Sequence, residues 1–153
     1  MNDKFKFCLP GQFGGGDTSP YIDSCMMRLS KIFKEEMQGD YMKTVNDFTI
    51  ILRVASYITD FEGGDGPEVL RHVKKSRYIK VDLVIPESKW KGCTPEFIRD
   101  NFSNGIRECF YLLVGRAEKN GELLDKQGLI DDFERSMAVF KTETDRELAE
   151  KKA

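Results

Sequence analysis

DFTIILRVASYI, residues 47–58, decides the architecture. Phe48, Ile50, Leu52, Val54 and Ile58 share one face at a two-residue period. The opposite face carries Thr49, Ile51, Arg53, Ala55 and Tyr57 and is only partly polar. A strand with one apolar face and a second half-apolar one belongs inside a sheet, because strands wetted on one side alternate cleanly. Its expected partner is RYIKVDLVI, residues 77–85, with Ile79, Val81, Leu83 and Ile85 inward and Lys80 and Asp82 outward. Between the two lies a long connection, residues 60–76, with FEGGDGP at residues 61–67 in its middle. A connection of that length in a domain is commonly a functional segment.

Upstream, residues 4–9 alternate again: Phe5, Phe7 and Leu9 against Lys4, Lys6 and Cys8. This predicts a half-buried strand with a cationic outer face, ended by Pro10 and followed by a glycine loop, QFGGG, residues 12–16. Ser19 and Pro20 stand as N-cap and first residue of a helix. Ile22, Cys25, Met26, Leu29, Ile32, Phe33 and Met37 form its apolar stripe, and Gly39 stops it. Downstream, Thr94-Pro95-Glu96 opens a second helix, with Ile98, Phe102, Ile106, Cys109, Phe110 and Leu113 inward and Asn120-Gly121 at its end. A third helix starts near Asp125 or Gly128 and buries Leu129, Ile130, Phe133, Met137 and Phe140. Residues 141–153 turn charged, with i,i+4 pairs Arg146/Glu150 and Glu147/Lys151, and read as a solvated helix or a frayed end. The order β-α-β-β-α-α over a single domain, residues 1–153, predicts an α+β fold. It would be an antiparallel sheet of three or four strands, two long helices on one face and a C-terminal helix.

The composition bounds the partners. With 153 residues the chain is of one-domain length and buries roughly 70% of its unfolded surface on folding. A net charge of -2 argues against bulk electrostatic binding of nucleic acid. MNDKFKF has no apolar export segment and no run reaches membrane-spanning length, so a cytoplasmic protein away from membranes is expected. The cysteines at 8, 25, 93 and 109 form no C-x-x-C pair, and His72 is the single histidine; they read as small apolar residues in a reducing compartment.

Four stretches carry residue types suited to chemistry. The glycines before the first helix invite a phosphate-binding enzyme, but no lysine follows them, and Asp17 stands where an anion would approach. His72 with Glu68 could make a base and its orienter only in a helix, and a solvated charged segment explains them as well. Asp131, Asp132 and Glu134 suit the first turn of a helix, whose dipole favours acids, better than a metal. Asp60, Glu62, Asp65 and Glu68 precede a basic run of Arg71, Lys74, Lys75, Arg77 and Lys80. An acidic half followed by a basic half fits recognition of a charged protein surface better than tracking of a phosphate chain. Trp90, between Lys89 and Lys91, reads either as a lid on the sheet end or as a binding anchor. No catalytic, cofactor or metal site is expected.

The layout resembles the immunity proteins of bacterial polymorphic toxin systems, including contact-dependent growth inhibition. The resemblance is carried by KFKFCLPGQFGGG, the long helix after it, the strand and elaborate loop, SRYIKVDLVIPESKW, and the Thr-Pro-Glu helix, across residues 4–140. It implies a protein without enzymatic activity that binds the toxic C-terminal domain of a cognate effector, a nuclease in many cases. Toxin contacts would come from Asp60, Glu62, Asp65 and Glu68, with a rival surface at Phe13 and Asp17 and an anchor at Trp90. If the cysteines are core residues, reductant and chelator should leave the melting temperature unchanged. A large fall with either reagent would overturn that reading.

Overall fold

The computed structural model describes residues 6–9, 11–13, 20–43, 47–55, 68–73, 78–86 and 93–152. They form β1 (Lys6–Cys8), β2 (Gly11–Phe13), α1 (Pro20–Glu36), β3 (Asp47–Ala55), β4 (Glu68–Val73), β5 (Tyr78–Pro86), α2 (Pro95–Lys119) and α3 (Lys126–Lys152). The strand order is β1-β3-β5-β4, with β2 also paired to β3. β1 and β2 follow one another along the same side of β3, Phe7 opposite Phe48 and Phe13 opposite Val54.

This corrects the expected antiparallel sheet of three or four strands. β1, β2 and β5 all run parallel to β3, and only β4 and β5 are antiparallel. Parallel neighbours need a long crossover. Between β2 and β3 the crossover holds α1; between β3 and β5 it holds β4, which takes the return leg and leaves β5 parallel to β3. Two of the strands fall in segments read as loops, β2 at Gly11–Phe13 and β4 at Glu68–Val73. β4 mixes Glu68, Arg71 and His72 with Val69, Leu70 and Val73, and its register shifts between Val69 and Arg71, an irregularity that goes with an interrupted two-residue period.

The helices follow their sequence signals where these are described; Ser19, the expected N-cap of α1, lies outside the described residues. The Thr94 hydroxyl accepts the Phe97 N–H at 3.2 Å, capping α2 ahead of Pro95. The helix ends at Asn120, and Gly121 takes a φ of 70°, the left-handed geometry glycine adopts without strain. The Asp125 carboxylate accepts the Gly128 N–H at 3.0 Å and opens α3. The segment after α1 is stitched to this turn: Leu124 N–H donates to the Tyr41 carbonyl at 2.8 Å, and Lys43 N–H to the Glu122 carbonyl at 2.7 Å. Gly39 lies under the Tyr41 ring, where any side chain would collide.

The core joins five elements through aromatic rings. Phe7 of β1 stacks on Phe33 of α1 at 4.2 Å, and Phe110 of α2 stacks on Phe133 of α3 at 3.7 Å. Phe48, the register partner of Phe7, meets Phe110 edge-on at 6.2 Å. α1 and α2 thus lie on the same face of the sheet, and α3 packs mainly against these helices. The charged tail is neither frayed nor fully solvated: α3 runs to Lys152 and buries Thr144 and Leu148. Leu148→Ala should therefore lower the unfolding free energy by about 2 kcal/mol, read from urea titration; an unchanged midpoint would return the tail to a frayed end.

Candidate functional site

The parallel register brings three chain exits to one end of the sheet. Phe13, the last residue of β2, lies opposite Val54, and Val54 lies opposite Ile85. One residue further, Ala55 at the end of β3 lies opposite Pro86 at the end of β5. Residues 14–19, 56–67 and 87–92 therefore all leave from the carboxyl ends of neighbouring parallel strands, the end at which open sheets with helical crossovers commonly bind their ligands. β4 returns on the far side of β5, with Glu68 opposite Asp82.

Two of the expected contact residues, Phe13 and Glu68, are among the described residues. Phe13 closes β2 and Glu68 opens β4. Asp17, Asp60, Glu62, Asp65 and Trp90 lie outside the described residues, within the three segments that start there. The acidic connection and the glycine loop, read from sequence as rival surfaces, leave adjacent strand ends. Sequence patterning missed this because it depends on strand direction. His72 and Arg71 belong to β4, opposite Ile79 and Lys80, which removes the helical pairing of His72 with Glu68.

The helical layer behind the sheet is held by ion pairs. Arg99 is only 5% exposed and reaches from α2 to Asp145 and to Thr144 of α3, besides Asp100. Burial is the largest influence on its guanidinium and opposes the charge. The hydrogen bonds of Asp145 and Asp100 outweigh it and hold the group above its ordinary range. Arg28 of α1 donates to Glu143 at 2.8 Å and also to Glu147. Beside Arg99, burial pushes the Cys25 thiol up to about 11, leaving it protonated and unreactive, as a core cysteine should be.

The acids near the start of α3 need a correction. No acid lies in the first turn of α3, so Asp131, Asp132 and Glu134 do not serve the helix dipole. Asp132 accepts from Tyr41 and pairs with Arg135 at 2.8 Å; Glu134 pairs with Arg107 at 2.9 Å and accepts from the Tyr111 hydroxyl at 2.8 Å. They clamp α3 to α2 and to the segment after α1. Among the described residues no group of His, Cys, Asp and Glu could hold a metal ion, and no helix is long and apolar enough to cross a membrane.

The Glu134 carboxyl is held below its ordinary 4.5, first by the Arg107 hydrogen bond and then by Tyr111. A depressed folded-state value contributes stability above 4.5 and loses it as pH falls through the lower folded value. The pair is more than a third exposed, so its worth is below about 1 kcal/mol. Glu134→Gln should flatten the fall of stability on acidification below 4.5 by that amount, measured by urea unfolding at each pH; a slope equal to the wild type's would remove the pair from the acid response.

Comparison with curated proteins and with solved structures gives no significant match. The family model described as immunity protein 44 matches residues 18–138, from just before α1 to the middle of α3. That match spans most of the 153 residues. Immunity proteins neutralise toxins, so the family implies a toxin protein as partner. On this evidence the chain belongs to the immunity protein 44 family.

Proposed function

We propose that the protein binds the C-terminal toxin domain of a contact-dependent inhibition effector in the cytoplasm and blocks it by occupying its active cleft. The toxin is a nuclease with a basic cleft, and the protein performs no catalysis and takes no cofactor. The observation that carries this reading is the convergence of Phe13, Ala55 and Pro86 at one sheet end. From that end leave the segments carrying Asp17, then Asp60, Glu62 and Asp65, then Trp90. Carboxylates entering a phosphate-binding cleft would screen its cations and speed encounter through long-range attraction. The aromatic core and the ion-paired helices act as the rigid support for this end, which limits the ordering cost of association.

The test is the triple reversal Asp60→Lys, Glu62→Lys and Asp65→Lys. Far-UV circular dichroism and melting should stay at wild-type values. Affinity for the purified toxin domain should fall by about 2–5 kcal/mol if the charge pairs are desolvated at the interface, and cells carrying the variant should lose protection. Full protection with unchanged affinity would exclude the acidic connection as the contact, and Phe13→Ala would then test the glycine loop.

A further inference from the structure

The outer face of α2 carries a stripe that the fold does not use. Glu108, Leu112, Gly115 and Lys119 follow one another at steps of four, three and four residues, which places them on one side of the helix. All four are exposed, and Leu112 is 39% open to solvent although Leu113 beside it is fully buried. Gly115 calls for an explanation. It sits inside a helix, where glycine is less favourable than every residue but proline. Its backbone is not left-handed, a region that Gly121 alone occupies among the described glycines. Beyond the helix's own backbone, a Cβ at Gly115 would meet no described atom within 4 Å. Neither backbone geometry nor packing within the described chain requires a glycine there, and the notch it leaves opens outward.

The stripe is complementary to itself when reversed. Two copies of α2 laid antiparallel, with the two-fold axis level with the midpoint of Leu113 and Val114, set Leu112 of each chain opposite Gly115 of the other. The same placement sets Glu108 of each chain opposite Lys119 of the other. The large side chain thus meets the missing one twice, and the acid meets the base twice. A parallel pairing in register would oppose Glu108 to Glu108 and Lys119 to Lys119, so charge selects the antiparallel one. Steps of four and three residues are those of helices packed along their length at about 20°, and leucine over glycine brings the axes to the short end of the usual range of about 8–10 Å. Tyr111, 41% exposed, borders the stripe and widens its apolar ground. α2 ends beside the start of β3, where the Lys43 N–H donates to the Glu122 carbonyl at 2.7 Å. The stripe occupies this second half of α2 and leaves the carboxyl end of the sheet free.

We propose that the protein associates with a second copy of itself through antiparallel α2 helices, Leu112 seated over Gly115 and Glu108 paired with Lys119 of the other chain. This stands independently of the toxin reading. Two helices meeting over one face bury less than the roughly 1,200–2,000 Å² of a standard interface, so the association is weak and depends on concentration. The experiment is sedimentation equilibrium of the full chain from low to high micromolar concentration, where the wild type should pass from monomer to dimer. Glu108→Lys and Lys119→Glu each set like charges opposite one another twice, and each should weaken the dimer by about tenfold. Mixed in equal amounts, the two variants restore both attractive pairs and should dimerise with each other. Gly115→Gln puts a good helix former into open space, so the monomer should melt higher while the dimer is lost. A glycine needed by the fold would give the opposite change in melting. Should a charge variant not fold, Glu108→Gln and Lys119→Gln carry the same test with a smaller loss. A wild type that stays monomeric throughout would overturn the proposal, as would a dimer that Gly115→Gln leaves intact. Failure of the mixed charge variants to recover the dimer would overturn the antiparallel pairing. A monomeric wild type whose toxin binding is lost in Gly115→Gln would assign the notch to the toxin and overturn self-association.

Discussion

The structure depends on a stack of phenylalanine rings, one from each of four elements. Phe7 brings β1, Phe33 brings α1, Phe110 brings α2 and Phe133 brings α3, and all four are buried. Large aromatic side chains carry more burial energy than any other residues and hold preferred ring geometries besides. A ring shared among four elements fixes their relative placement at once. β1 cannot shift along β3 by one residue without turning Phe7 away from the helices, since neighbouring strand residues face opposite ways. The parallel register of the sheet is thereby tied to the packing of the helices.

Charge completes what the rings begin. Arg28 and Arg99, on two different helices, converge on Glu143, Asp145 and Glu147 in the last part of α3. A buried guanidinium that lost its carboxylates would be strongly destabilising, whereas an intact pair contributes little net stability over an apolar alternative. The gain is definition: the far half of α3 has one place to lie. The family match ends at residue 138, and these anchoring acids lie beyond it.

The proposed toxin-facing surface follows from strand direction. A sheet whose neighbouring strands alternated in direction would have sent the glycine loop, the acidic connection and the Trp90 segment to different ends. With β2, β3 and β5 parallel they leave together, and Phe13 and Ile85 become neighbours of neighbours across β3.

The sequence by itself determined the helices, their caps and their buried stripes. Thr94, Asp125 and Gly121 act through contacts within a few residues, and the apolar period of each helix is a local pattern. It also located β3 and β5 and identified the family. The direction of the strands was not legible, because two-residue alternation is the same for parallel and antiparallel partners and hydrogen bonding chooses between them at long range. β4 was not legible because its register is interrupted and its apolar residues Val69, Leu70 and Val73 do not alternate; β2 was not legible because three residues carry no period. Arg28 and its acids stand 115 and 119 residues apart, and no local pattern predicts such a pair. Only the tertiary structure decided which chain exits share a sheet end and which acids pair with Arg28 and Arg99. Both depend on which distant residues meet, and that is settled by packing the whole chain at once.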